Sequence, residues 1–284
     1  MTRRGIGRRL FLRSLAGAAA AAIPALGRQD TVAGVQPRWW SSLIWGVFEN
    51  HSFTQVAALP SHRRLVREGL LFTRYFAVAH PSGPNYRAMA SGETWGDKEV
   101  VDTFHPTVAS NAAAATPPVP TYLYHLAGEM DQKHDPFVDL HAPIVRTRRG
   151  LDALWTDLQG GPEALPERCL VYVGWDDENN MHSGSPERAD ANLTALVDVL
   201  AASPWFTTPD QGGRYPAFFF VYDEDDYRED NRVFAVFWGR GVRRGAVSAV
   251  RHTHYGFCRT VVDNWALPRL GRAAHEAPIV EPWL

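Results

Sequence analysis

Short apolar runs alternate with longer amphipathic segments along most of this chain. The runs are rich in Val, Ile, Leu and Phe and are bounded by polar or glycine-containing stretches, which is typical of strands buried on both faces. These predicted strands span residues 42–48, 170–173, 217–222 and 233–238. The predicted helices between and after them span residues 61–69, 121–130, 150–159, 186–202 and 254–265. The alternation favours an α/β fold in which helices cover both faces of one sheet.

Composition narrows the class of protein. Of the 284 residues, 45% are hydrophobic and 21% are charged, which excludes a disordered, collagenous or coiled-coil chain. The Pro/Ala-rich stretch at 110–120 has strand pattern on both sides, so we expect one domain over residues 28–284. Cys169 and Cys258 are the only cysteines, and whether they pair or are two small buried residues stays open.

The first 27 residues predict an export signal of the twin-arginine type. Arg8 and Arg9 open a basic stretch, an apolar run spans 14–23, and small residues at 25–27 offer a cleavage site. The apolar run is shorter than the ~20 residues that span a bilayer, although an N-terminal anchor is the alternative. We therefore expect the twin-arginine export machinery as a partner of the precursor, no stable membrane span, and a secreted or cell-envelope location.

Charge is divided unevenly along the chain. The net charge is −2, from 29 basic and 31 acidic residues, but residues 1–27 hold five arginines and no acid. The remaining body is therefore acidic, which gives no reason to expect a nucleic-acid partner.

Acid-rich segments directly follow three of the predicted strands. They are residues 49–51 (Glu-Asn-His), 176–182 (Asp-Asp-Glu-Asn-Asn-Met-His) and 223–226 (Asp-Glu-Asp-Asp). Because functional loops of α/β sheets gather at the carboxyl ends of the strands, these side chains should lie close together. Carboxylate and amide oxygens suit a hard or borderline divalent cation. Each segment alone could be a solvated loop, but the three together predict a metal site.

Two histidine-containing segments offer further chemistry. In the segment His80-Pro81-Ser82-Gly83-Pro84-Asn85-Tyr86, two prolines and a glycine predict a turn that displays His80 and Asn85. Histidine titrates near neutral pH, so His80 is a candidate general acid, with a hydrogen-bonded structural histidine as the alternative. His254 lies near a predicted helix start, where it could bind metal or phosphate or cap the helix.

Five segments, taken in order, carry a family resemblance. They are E-N-H-S-F at 49–53, H-P-S-G-P-N-Y at 80–86, N-M-H-S-G-S at 180–185, Y-D-E-D-D at 222–226, and the histidine, arginine and aspartate positions of 254–265. Together they resemble the phosphoesterase family, which contains bacterial phospholipases C and secreted acid phosphatases and belongs to the alkaline phosphatase superfamily. The match spans Leu43 to Leu270, and the H-P-S-x-P-N-Y form is closer to the acid-phosphatase branch.

The resemblance implies a fold and a set of site residues. The fold would be a three-layer α/β/α sandwich with a central, mostly parallel sheet. A divalent metal cation would be bound by a set of oxygen ligands, namely Glu49, Asn50, Asp223 and Glu224. His80 would protonate the leaving group and His182 would lie on the phosphate side. Substrate contacts would come from Asn85, His182 and His254.

In the family, a Ser or Thr nucleophile lies at a helix start between the His80 and His182 motifs. Thr121 fits best, because it precedes the predicted helix at 121–130 and a helix N-terminus stabilises an alkoxide. An ordinary N-cap threonine is the standing alternative. The fallback candidates are Thr94, Ser110 and Thr116.

The chain departs from the family pattern in two places. Residues 128–137 form a shorter segment than in larger members, which predicts an open pocket wall, and Ser183 replaces an acid often found after the histidine.

These expectations combine into a function. The chain should hydrolyse phosphate esters with a metal ion, a Thr nucleophile and a His general acid, as an exported acid-phosphatase-like phosphomonoesterase acting on a small phosphoester. A phospholipase C or phosphodiesterase, and a catalytically silent envelope protein that binds metal or phosphate, are the alternatives. Sulfatase-like chemistry is weaker, because neither Cys169 nor Cys258 occupies a matching nucleophile position.

Overall fold

A computed structural model describes residues 39–160 and 164–283. Its strands are β1 (Leu43–Phe48), β2 (Leu70–Phe72), β3 (Tyr75–Phe76), β4 (Thr121–Ala127), β5 (Arg146–Arg149), β6 (Leu170–Trp175), β7 (Ala217–Tyr222), β8 (Ala235–Trp238), β9 (Ala246–Ser248) and β10 (His252–Thr253). Its α-helices are α1 (Phe53–Val56), α2 (Pro60–Glu68), α3 (Ser82–Ser91), α4 (Val108–Ala113), α5 (Pro136–Asp139), α6 (Leu151–Leu158), α7 (Pro186–Ala202), α8 (Pro204–Thr207) and α9 (His254–Asn264). Short 3₁₀-helices span Gln132–His134, Arg272–His275 and Glu281–Trp283.

Eight of these strands form the central sheet, in the order β5-β4-β6-β1-β7-β8-β2-β9. Neighbouring strands are parallel except at β8, which runs antiparallel to both β7 and β2. In β1, β6 and β7 every residue is buried, as expected for strands covered on both faces. Four strands, β4, β6, β1 and β7, therefore end side by side at one edge of the sheet.

Helices cover both faces of this sheet. Alternate residues of β7 point to opposite sides: the Phe219 ring stacks on Phe257 of α9 with centroids 4.2 Å apart, whereas Phe220 meets His62 of α2 at 5.5 Å. Helices α2, α6, α7 and α8 contact one another in one layer, and α3, α4, α5 and α9 in the other. The predicted three-layer α/β/α sandwich with a mostly parallel sheet is confirmed.

The local predictions match the structure with one exception. The predicted strands correspond to β1, β6, β7 and β8, and four of the five predicted helices correspond to α2, α6, α7 and α9. The predicted helix at 121–130 is wrong, because residues 121–127 form β4 between β5 and β6. The run from Thr121 to Leu126 is buried throughout, so sheet burial decides its conformation over helix propensity.

The predicted export signal lies outside the described residues. Among those residues, no helix has the length and hydrophobicity needed to cross a membrane. All of them belong to one compact unit.

Arg87 joins α3 to the segment that follows it. The side chain is fully buried, and its Nη1 lies 2.9 Å from Asp139 Oδ2 in α5. The guanidinium also donates to the main-chain oxygens of Thr94 at 2.6 Å and Glu99 at 2.9 Å. Asp139 in turn accepts from the amides of residues 101 and 102. One buried ion pair thus holds α3, α5 and the 94–102 loop together.

Removing this arginine should destabilise the protein strongly. Arg87→Met leaves the buried Asp139 carboxylate without its cation, and we expect the free energy of unfolding to fall by about 3–5 kcal/mol. The matched control is Arg64→Met, because Arg64 pairs with the exposed Asp198 and its loss should cost less than about 1 kcal/mol. Urea unfolding of both variants measures the difference, and equal losses would contradict the structural role of Arg87.

The segment between β4 and β5 is held by two capping aspartates. Asp131 accepts from the amide of Lys133, and Asp135 accepts from the amides of Phe137 and Val138 at the start of α5. Asp135 is buried, and burial raises its pKa to about 6 despite these hydrogen bonds.

The raised pKa of Asp135 predicts a pH-dependent penalty. The folded chain binds this proton more tightly than the unfolded chain, so stability is greatest below the unfolded pKa near 3.8 and falls as pH rises through about 6. Asp135→Asn keeps a capping oxygen and cannot ionise. Its stability relative to wild type should therefore increase by about 2 kcal/mol between pH 4 and pH 7. Urea unfolding at both pH values tests this, with Asp131→Asn at the exposed cap as control. A difference that does not change with pH would contradict it.

Candidate active site

The three predicted strand-end segments do lie together. Glu49 follows β1, Asp223 and Glu224 follow β7, and the 176–182 segment follows β6. Main-chain hydrogen bonds fix their register: Asp223 N donates to Phe48 O at 3.0 Å, and Glu49 N donates to Asn180 O at 3.0 Å. The parallel sheet thus places carboxylates from neighbouring strands at a single edge.

The carboxylates Glu49, Asp223 and Glu224 are all buried. Burial, together with the charges of Glu49 and Glu224, raises the pKa of Asp223 well above its ordinary value. Burial and the nearby Glu49 and Glu99 likewise raise the pKa of Glu224 to about 8. Both shifts have the same cause, which is that like charges lie close together out of water. A bound cation would offset that repulsion.

The unused oxygen atoms fit a hard divalent cation. Within the described residues, Asp223 Oδ2 and Asn50 Oδ1 are buried and accept no hydrogen bond. Asn50 adopts a positive φ of 50°, a conformation that asparagine tolerates better than most residues, and its amide donates to Asp223 Oδ1 at 3.0 Å. Three carboxylates, those of Glu49, Asp223 and Glu224, and the amide oxygen of Asn50 form the oxygen-rich donor set that such ions prefer.

Ser82 lies against this cluster and was missed by the sequence reasoning. It is the first residue of α3, it is buried, and its Oγ lies 3.1 Å from Glu49 Oε2 and 3.4 Å from Glu224 Oε1. Gly83 allows the close approach that holds this helix start, because a Cβ there would lie 2.0 Å from Glu99 O. The H-P-S-G-P-N-Y segment contains this serine, but its prolines and glycine predict only a turn that displays His80 and Asn85.

Thr121 does not reach the cluster. It begins β4 and pairs with Leu170, which in turn pairs with Leu43 at the start of β1. Glu49 follows the other end of β1, about 20 Å away at the rise of a strand. The prediction that Thr121 is the nucleophile at a helix start is therefore wrong. Residues 121–127 form a strand, and Thr121 lies at the edge of the sheet opposite to Glu49.

His80 lies at the rim of the cluster. Its Nδ1 is 2.9 Å from Glu224 Oε2 and its Nε2 is 3.3 Å from Asp225 Oδ1. The ring of Tyr227 stacks on it, with centroids 4.0 Å apart. Desolvation lowers the pKa of His80, and Asp225 opposes that shift. The imidazole is partly exposed, so it can contact a group that enters from solvent.

His134 is a second residue that the sequence reasoning did not assign. It is buried between two carboxylates, with Nε2 3.2 Å from Glu49 Oε2 and Nδ1 3.1 Å from Asp177 Oδ1. Burial alone would lower the pKa of His134, but Glu49 and Asp177 raise it to about 10. The pKa of Glu49 is correspondingly lowered to about 2, since His134 and the Tyr86 hydroxyl outweigh the effect of burial. The 128–137 segment therefore places a buried histidine against Glu49.

His182 faces the same space from the β6 side. Its Nδ1 lies 3.6 Å from Asp177 Oδ2, and its Nε2 lies 3.1 Å from the Lys133 amino group. Glu49, His134 and His182 each offer one ligand atom, and these atoms lie within 4.8 Å of one another. The side chain of His182 is 29% exposed, which leaves it open to a substrate.

Asn85 supports the site from below. It is fully buried; its Oδ1 accepts from the amides of Val78 and Ala79, and its Nδ2 lies 3.3 Å from Glu224 Oε2. The prediction that Asn85 binds substrate is therefore corrected, because its amide holds the loop before His80.

His254 also acts from beneath the site. It is fully buried at the start of α9, with Nε2 2.6 Å from the main-chain oxygen of Asp223 and Nδ1 3.3 Å from the Tyr75 hydroxyl. Burial lowers the pKa of His254 to about 4, so the imidazole is neutral at physiological pH. Both ring nitrogens are occupied, which corrects the prediction of a substrate contact: His254 positions the Asp223 backbone.

The chain is similar in sequence to known phosphatases. No family model matches the chain. It is 27% identical to the phosphate-repressible acid phosphatase of Penicillium chrysogenum over 258 residues, which are 81% of this chain and 59% of that protein. It is 27% identical to the phosphatidylinositol-3-phosphatase of Mycobacterium tuberculosis over 237 residues, 79% of this chain and 75% of the relative. The chain thus spans less than two thirds of the length of the fungal enzyme.

Solved structures share the fold at low sequence identity. A protein of the alkaline phosphatase superfamily from Vibrio parahaemolyticus superposes with a TM-score of 0.62 at 12% identity, covering 86% of this chain and 71% of the other. The phosphonate monoester hydrolase of Silicibacter pomeroyi gives 0.51 at 11% identity, covering 86% and 76%. The chain is thus similar in sequence to an acid phosphatase and a phosphatidylinositol phosphatase, and it shares its fold with a solved member of the alkaline phosphatase superfamily.

Proposed function

We propose that this protein hydrolyses phosphate monoesters, with Ser82 as the nucleophile in a site that binds a divalent cation. The observation that supports it best is the position of the Ser82 hydroxyl, which lies at the start of a ten-residue helix within 3.4 Å of two carboxylates from neighbouring strands. The relatives named above carry the names of phosphatases, which favours a monoester substrate.

The proposed metal ligands are Glu49, Asn50, Asp223 and Glu224. When bound there, a divalent cation would stabilise negative charge on the phosphoryl group and on the attacking oxygen.

Ser82 would carry the phosphoryl group between two displacements. Its Oγ attacks phosphorus in line, and its proton passes to Glu224 Oε1, the more basic of the two carboxylates that it contacts. The bond from phosphorus to the leaving oxygen breaks in the same step. The positive end of the α3 dipole stabilises the developing alkoxide. Water then cleaves the phosphoserine, which restores the hydroxyl and releases inorganic phosphate.

Two histidines complete the proposal. His80, at the rim, protonates the departing alkoxide, and its contact with Asp225 favours the protonated ring. His182 contacts the phosphoryl oxygens from the β6 side. We further propose that residues 1–27 direct the chain out of the cytoplasm and are removed, so that the enzyme acts in the cell envelope or the medium.

Two substitutions test the choice of nucleophile. Ser82→Ala should lower kcat for p-nitrophenyl phosphate by at least about 10³-fold, since it removes the attacking oxygen. Thr121→Val is the control: within the described residues the buried Thr121 hydroxyl has no hydrogen-bond partner, so kcat should stay within about threefold. Full activity in Ser82→Ala would exclude the scheme.

The metal dependence has its own test. The double variant Asp223→Ala/Glu224→Ala should lose bound divalent metal and turnover together, whereas Asp198→Ala, an exposed acid on α7, should keep both. Elemental analysis and a panel of p-nitrophenyl phosphate, a diester and phosphatidylcholine measure this. Preferential turnover of the diester or the lipid would favour the phosphodiesterase alternative. Bound metal without turnover of any phosphoester would favour a silent binding protein.

A further inference from the structure

We propose that Lys133 is a substrate-binding residue that selects phosphate monoesters over diesters, by binding one charged non-bridging oxygen of the phosphoryl group together with His182. The inference rests on the proposed function and names a specificity determinant for it. Lys133 is one of only two lysines in the chain, the other being the exposed Lys98.

The lysine is held at the site by its neighbour in sequence. Lys133 and His134 belong to the same 3₁₀-helix, and the His134 ring is fixed between Glu49 and Asp177. The Lys133 amino group extends to His182 Nε2 at 3.1 Å. A continuous set of contacts therefore joins Ser82, through Glu49, His134 and His182, to this ammonium group.

The charges of the site lie on two sides. The β7 side carries the carboxylates Asp223 and Glu224, which suit a cation. The opposite side carries the Lys133 ammonium and the imidazole of His182, both half-buried and open to solvent. In the proposed binding mode a phosphoryl group at Ser82 would lie between these sides, with one oxygen facing the metal ligands and another facing Lys133.

An anion fits the Lys133 side better than a second metal ion. Glu49, His134 and His182 could together ligate a cation, since their ligand atoms lie within 4.8 Å. However, the ammonium group lies directly on His182 Nε2 and would repel a cation there. Both nitrogens of His134 already face carboxylates. The same ammonium attracts a phosphate oxygen.

The selectivity follows from the charge of the substrate. A monoester dianion carries one more charged oxygen than a diester, whose corresponding oxygen is esterified. An ammonium group that binds this oxygen gains a charge-assisted hydrogen bond with the monoester only. Loss of such a bond corresponds to about a 10- to 100-fold change.

The test compares two substrates across matched lysine variants. In Lys133→Met, kcat/KM for p-nitrophenyl phosphate should fall about 10- to 100-fold, while kcat/KM for bis(p-nitrophenyl) phosphate should change less than about threefold. The inhibition constant of inorganic phosphate should rise by a similar factor to the monoester loss. Lys98→Met, which removes the other lysine, should behave as wild type, and Lys133→Arg should keep most of the monoester preference.

The outcomes distinguish a substrate-binding role of Lys133 from a structural role. Equal losses on both substrates, or an unchanged monoester preference, would overturn the inference. If Lys133→Met fails to fold, Lys133→Gln and Lys133→Arg provide the same comparison of neutral and charged side chains. A second metal equivalent per chain that disappears in His182→Ala would also overturn it, because a cation would then occupy the proposed oxyanion position.

A failure of the proposed chemistry can be distinguished from a failure of the Lys133 inference. If Ser82→Ala retains turnover, or if the purified protein hydrolyses neither ester, calorimetric titration with inorganic phosphate still compares wild type with Lys133→Met. Binding weakened at least tenfold in the variant supports the inference, whereas equal affinity or no binding to wild type overturns it.

Discussion

Repulsion among buried carboxylates is the constraint on which the site depends. A parallel sheet brings Glu49, Asp223 and Glu224 to one edge, where all three are buried. The ionised form of each carboxylate would be unfavourable there without hydrogen bonds or a nearby positive charge. The fold supplies part of this stabilisation: His134 and the Tyr86 hydroxyl stabilise the charge on Glu49, and the Asn50 amide stabilises Asp223. The remaining imbalance concerns Asp223 and Glu224, whose raised pKa values mark where positive charge is still lacking. The unfavourable electrostatics of the folded chain and the cation affinity that we propose for it thus have the same origin.

A shell of buried groups converts this cluster into a rigid site. Asn85 and His254 do not face the substrate space, yet each fixes the β7 loop: one through the Glu224 carboxylate and one through the Asp223 carbonyl. Arg87 performs the equivalent task for the helix that carries Ser82, by joining α3 to α5 and the 94–102 loop. A residue within a motif can therefore position other groups without contacting the substrate. For this reason, motif membership alone assigns the wrong roles to Asn85 and His254.

Much of the fold and the acidic half of the site could be predicted from the sequence. Continuous apolar runs identify strands buried on both faces, and the ends of β1, β6 and β7 follow directly from them. The error at 121–130 arose because an apolar segment without clear alternation fits a helix or a strand, and its burial between β5 and β6 is a tertiary property. His134 could not be assigned for a similar reason: its role depends on Glu49 and Asp177, which are distant in sequence and adjacent only in the sheet.

The one reversed strand of the sheet has a consequence for how this protein can diverge. Since β8 runs antiparallel to β7, the chain that leaves the sheet after Tyr222 returns to the same edge. Residues 223–234 form the loop that joins these two strands next to the site. Its base carries the metal-type ligands, whereas its tip carries Tyr227, which is 78% exposed and covers His80. Insertions or substitutions at the tip can reshape the entrance to the site without disturbing strand register. In the proposed reaction, selectivity for the alcohol part of a substrate would therefore evolve separately from the chemistry at phosphorus.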